Sequence, residues 1–107
     1  MANTFKNKSA VIAATATTIY TAPAGTQSVI HSLFLSNVDT SANINVTLEL
    51  YDTSLTTAYK ILYNVPIPAG STLVLDKPIN LEATDQLRAT SSVASKIEAV
   101  VSVLEIS

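Results

Sequence analysis

The segment "NINVTLELY" alternates without a break: Ile44, Val46, Leu48 and Leu50 point one way while Asn45, Thr47, Glu49 and Tyr51 point the other. A period of two residues places successive side chains on opposite sides of a pleated strand, so this segment is a strand with one dry and one wet face. Such a strand folds only if something covers its dry face. No window of a dozen residues offers the competing i, i+3, i+4, i+7 stripe, and Thr, Val, Ile and Tyr are plentiful. "AYKILYNV" reads as a second alternating strand, with Tyr59, Ile61, Tyr63 and Val65 on one side. "TQSVIHSLFLSN" and "IEAVVSVLEI" are apolar on both faces over part of their length, as expected of strands central in a sandwich or covered by a neighbouring subunit. "NLEATDQLRATSS" is the best helical candidate but reads as a turn at residues 82–84 followed by a strand at 85–90.

Turn chemistry punctuates these runs. "PAG" occurs twice, at Pro23 to Gly25 and Pro68 to Gly70, and these are the chain's only two glycines. Proline suits the first central position of a β-turn, and glycine two residues on permits a positive φ. Each glycine is thus expected where a side chain would clash. Pro66, Pro68 and Pro78 confine their segments to strand ends or a sheet edge. About eight extended segments result, near residues 8–13, 16–22, 27–36, 43–51, 58–65, 71–76, 85–91 and 96–106. The expected fold is an all-β, antiparallel β-sandwich, jelly-roll-like or immunoglobulin-like, the two topologies being inseparable at this level. With 107 residues, one domain spans the chain, residues 1–7 forming a candidate N-terminal arm.

Only 13% of the residues are charged, against roughly 25% in ordinary soluble domains. Ser, Thr and Asn take their place, and a surface so sparsely charged suits contact with other protein. The net charge is −2 and the six cations are scattered, Arg88 being the only arginine, so nucleic acid is not an expected partner. Lys6 and Lys8 precede "AVIAATATTIYTAPA", a loose imitation of a signal peptide, but the longest unbroken apolar run there covers only residues 10–14. No membrane span is expected either, and the chain is expected to be made and assembled in cytoplasm.

No reaction is named by these residues. His31, the sole histidine, sits inside an apolar strand with no nucleophile motif around it and is read as structural or interfacial. There is no cysteine, no HExxH pattern, no acidic calcium loop and no phosphate-binding glycine loop. Asp39 and Asp52 lie in loops beside hydroxyl residues, where capping competes with cation contact. The expectation is a non-enzyme with no catalytic residue, no cofactor and no metal. Tyr51, Tyr59 and Tyr63 flank the "DTSLTTA" loop and leave open a glycan-stacking surface for host attachment.

"MANTFKN", "TIYTAPAG", "PIPAGSTLVL", "LEATDQLRATSS" and "VVSVLEIS" together resemble small virion structural proteins of tailed bacteriophages, especially those infecting cyanobacteria. The resemblance spans most of the chain, residues 39–57 being least characteristic, and its motifs are corners and strands. It implies a β-sandwich present in many copies on the particle, as in head-decoration (cement) proteins, which bind between major capsid proteins on the outer head surface and stabilise it. A homotrimer follows by analogy with threefold sites between capsid hexamers, and a neck, tail or fibre-adaptor subunit is the alternative. The expected contact surface includes the doubly apolar C-terminal strand, through Val100, Leu104 and Ile106, with Phe5 of the arm. The competing expectation is that Val100 and Leu104 fill the domain's own core.

Overall fold

The computed structural model describes residues 3–106 as nine β-strands with no helix among them. These are β1 (Asn3–Ile12), β2 (Thr17–Thr21), β3 (Gln27–Asn37), β4 (Ile44–Asp52), β5 (Thr57–Ile67), β6 (Thr72–Leu75), β7 (Ile79–Leu81), β8 (Gln86–Ser91) and β9 (Ile97–Ile106). One sheet runs β1-β9-β3-β6, with the short β7 also on β3, and the other runs β2-β8-β4-β5. All pairings are antiparallel.

The topology decides between the two sandwiches. Setting β7 aside, the first strand pairs with the last (β1 with β9), the second with the second-last (β2 with β8), the third with the sixth (β3 with β6), and β4 with β5. One long antiparallel ribbon has been rolled up, and its coils are joined where β9 meets β3 and β8 meets β4. That winding is a jelly roll, not the immunoglobulin arrangement. The ninth strand, β7, follows Pro78 and occupies the sheet edge to which proline confines a strand. Residues 3–7 of the expected arm are the first half of β1, in unbroken register with β9, while residues 1 and 2 lie outside the described residues.

The two sheets share one core. From β4 come Ile44, Val46 and Leu48, from β3 Ile30, Leu33 and Leu35, and from β9 Ile97, Ala99, Val101 and Val103, all essentially without solvent exposure. Val100 and Leu104 point the opposite way, so the expectation that they fill this core fails by one step of the pleat. Strand β5 departs from the simple alternation as well. Register shifts between Val46 and Leu48 and between Leu48 and Glu49 set Leu62 opposite the core residue Leu48, and Lys60 opposite Glu49 on the outer side.

Both "PAG" corners are β-turns, with a positional correction. Thr26 donates its N–H to Pro23 O at 3.1 Å, and Ser71 donates to Pro68 O at 3.0 Å. Proline therefore opens each turn, and alanine and glycine are its central pair. Gly25 has φ +74° and Gly70 has φ +72°, the signature of the second central residue of a type II turn. A Cβ at either glycine would meet nothing within 4 Å. The expected clash is absent, and the requirement for glycine is torsional. Gly25→Val is accordingly expected to cost about 1–2 kcal/mol, whereas Gly25→Asn, whose side chain tolerates the left-handed region, should keep most of the stability. Thermal midpoints of the two variants test this, and equal midpoints would contradict it.

Candidate interaction face

The two sheets present contrasting outer surfaces. On β2-β8-β4-β5 the outward residues include Asn45, Thr47, Glu49 and Tyr51 of β4 and Gln86, Arg88 and Thr90 of β8. They are tied into polar contacts: Lys60 pairs with Glu49, Arg88 Nε donates to Gln86 Oε1 at 2.8 Å, and the Arg88 guanidinium lies 3.9 Å from the centroid of the Tyr51 ring. The β4 and β8 part of this face is built for water, while β5 at its edge exposes Tyr59, Ile61 and Tyr63.

The outer face of β1-β9-β3-β6 carries two apolar rows among polar ones, with Val11, Glu98, Ser36 and Thr72 in register at one end. Cross-strand register sets Ser9, Val100, Phe34 and Val74 side by side in one row across four strands. Two pleats further on, Phe5, Leu104 and Val29 form a second row. Phe5 is 76% exposed and Val100 43%, and Val11, Phe34 and Val74 are also exposed. Directly opposed side chains on one sheet face touch, so each row acts as a continuous ridge. Three strands about 4.8 Å apart and about ten residues long, with the short β6 and β7 along one edge, give a face of roughly 600 Å². That is comparable with the ~800 Å² each partner gives to a standard protein interface.

Between the ridges runs a polar row of Asn7, Ser102 and Ser32. His31 joins it through a β-bulge: the β3 register shifts between Ile30 and Ser32, leaving His31 as the extra, exposed residue. It borders a cavity of about 290 Å³ lined by Phe5, Lys6, Asn7, His31, Ser102 and Val103.

Phe5, Val100, Leu104 and Ile106 all point to this outer face, Ile106 opposite both Asn3 and Gln27. Phe34, Val74, Val29 and Val11, missing from the sequence reading, extend the same face. Pro23, Gly25, Pro68 and Gly70 lie in the corners and do not join it. Tyr51 and Tyr59 are not brought together: Tyr51 is opposite Ala58 and Tyr59 opposite Leu50, on opposite sides of the ladder.

Elsewhere the carboxylates hold loops. Asp39 accepts N–H bonds from Ser41 at 2.8 Å and Ala42 at 3.0 Å, which hold its carboxyl below the usual range. Asp52 accepts from the Ser54 hydroxyl and N–H, with the same effect. Asp52, Glu82 and Asp85 converge at one end of the sandwich, their nearest oxygens within 4.8 Å of one another. The buried Asp85 there accepts N–H bonds from Thr53 at 3.2 Å and Glu82 at 3.1 Å, stitching two loops together. Asp39 is not part of this group.

One buried polar cluster anchors β1. The Tyr20 hydroxyl donates to Glu105, with Ser28 Oγ at 2.8 Å, and Lys6 Nζ lies 3.0 Å from the other Glu105 oxygen. Burial, with the Glu105 carboxylate beside it, pushes the Tyr20 hydroxyl up to about 12. The Tyr20 bond, aided by Lys6, holds Glu105 below its ordinary value despite burial.

No protein-family model matches this chain, and no curated protein matches it. Among solved structures it is similar to a chain of the Bacillus endospore appendages, described as a family of disulfide-linked pili. There the TM-score is 0.59 at 17% identity, over 99% of this chain and 87% of the other. It is also similar to a chain of the T13 particle of infectious bursal disease virus, with a TM-score of 0.56 at 11% identity. That match covers 96% of this chain but only 30% of the viral one. At these identities the likeness is one of fold.

Proposed function

We propose that this chain is a non-enzymatic structural subunit of an assembled particle, attached through the apolar outer face of β1-β9-β3-β6. The observation that carries the reading is the contrast between the two outer faces. A sandwich that met only solvent would have no use for ridges of Phe34, Val74 and Val100 on one side while the other side is ion-paired. The fold likeness to chains of a viral particle and of bacterial appendages supports a role in repeated assembly. Together with the resemblance to phage virion proteins, the finer reading is a capsid decoration protein. It sits on the outer head surface, bridges major capsid proteins as a homotrimer, and adds avidity through copy number.

A second reading, a neck, tail or fibre subunit, is favoured by the likeness to the appendage chain, which extends over most of that chain's length. These residues include no cysteine, so they could not supply a disulfide to such a filament. The glycan-binding reading loses support from the opposed placement of Tyr51 and Tyr59. Cryo-electron microscopy of the particle separates the first two. Density for this sandwich over the whole icosahedral shell is expected, and density confined to the neck or tail would replace the first reading by the second.

A further inference from the structure

The sandwich has four sheet edges, and three are blunted. The β2 register shifts between Thr18 and Tyr20, β5 carries two shifts and Pro66, and the β6–β7 edge is split into strands of four and three residues around Pro78. Such bulges, prolines and short strands are the usual means of stopping an edge from recruiting another chain. β1 lacks all three. It is 10 residues long, free of proline and in unbroken register with β9 from end to end. Its first half also overhangs the second sheet. Thr4, Lys6 and Lys8 share a face with the buried Ile12 yet are exposed, so this stretch is open on its edge and on both faces.

The occupant follows from charge. A second copy pairing symmetrically with β1 would have to run antiparallel, with like faces together. The two registers engaging most of the strand then set Lys6 against the partner's Lys8, or Lys8 against the partner's Lys8. Like charges directly opposed are destabilising, so self-pairing is disfavoured. Lys6 already shares Glu105, whereas Lys8 has no ion pair among the described residues. We infer that the β1 edge is a strand-addition site for an extended segment of another protein that carries carboxylates at alternate positions opposite Lys6 and Lys8. Its intervening apolar residues lie on the outer face beside Phe5 and Val11. Backbone pairing supplies the attachment and the alternating charge sets the register.

The test uses the full chain and does not depend on the particle, so it can fail while the proposed function stands. A fluorescent ten-residue peptide alternating valine and glutamate is titrated by anisotropy against the protein, beside a valine–lysine peptide. Amide exchange of β1 is followed by NMR. The glutamate peptide should bind and protect β1 amides that exchange freely in the isolated chain, and the lysine peptide should not. Lys8→Ser leaves the Lys6–Glu105 pair in place and should weaken binding by about two- to fivefold, the range of one opposite-charge cross-strand pair. Equal binding of the two peptides, no protection in β1, or an unchanged affinity in Lys8→Ser would each overturn the inference.

Discussion

A protein carrying Phe34→Lys and Val100→Lys together is expected to fold, with a loss of up to about 1 kcal/mol from the opposed lysines, and to lose its place on the particle, with affinity reduced at least about a hundredfold. The two side chains are directly opposed on β3 and β9 at the middle of the apolar face, and both are exposed in the isolated chain. Replacing them therefore removes nothing from the core. In the assembled state each would be a central contact, where truncation alone costs about 2 kcal/mol or more. A lysine adds the penalty of burying an unpaired charge. The effect is read as the copy number retained on purified particles, with the thermal midpoint as the control for folding. Full retention would mean that the contact lies elsewhere. Ile106→Lys, at the end of the same face, should have a smaller effect.

Tyr20→Phe should lower the unfolding free energy by about 1.5–3 kcal/mol, the range for a hydrogen bond to a charged group. At roughly 4–8 °C per kcal/mol for a domain of this size, the shift in midpoint is large. Phenylalanine fills the same space, so the loss is that of the hydroxyl between Glu105 and Ser28, which leaves a buried carboxylate short of a donor. The pH dependence gives a second readout. Glu105 titrates below its ordinary 4.5 in the folded protein, so its contribution is present above that value and is lost as pH falls through the folded one. Tyr20 is raised from 10.0 to about 12, so its contribution is present below pH 10 and is lost as pH rises toward 12. The natural protein should show a plateau bounded by both limbs. The variant should lack this alkaline limb and show a shallower acid one. Urea unfolding across pH measures both, and superimposable profiles would show that the cluster is not coupled to folding.

How much of this was legible in the sequence depended on whether polar residues marked one face consistently. In β4 they do, and the strand reads correctly from Asn45, Thr47 and Glu49. In β9 the two glutamates fall on opposite parities, Glu98 outward and Glu105 inward, so alternation could not say which apolar set faced the core. The inward glutamate is explained only by Tyr20 and Lys6, one brought from β2 and the other from β1, and no local signal points to either. In β3 the bulge at His31 changes parity partway along, which made the strand look apolar on both sides and hid Phe34 as an outward residue. β7 escaped notice because three residues after a proline make too short a pattern. The "PAG" corners were recognised as turns with a glycine requirement, but the part played by proline depended on hydrogen-bond register that composition does not encode.

The most direct test of the central claim is hydroxyl-radical footprinting of Phe5 and Phe34 in the dilute isolated chain and in the intact particle, with Tyr63 on β5 as the reference. Both phenylalanines should be modified readily in the free chain and protected in the particle, while Tyr63 is modified in both. Undiminished labelling of Phe34 in the particle would show that the apolar face of β1-β9-β3-β6 meets solvent in the assembly, and the account of how this protein attaches would be wrong.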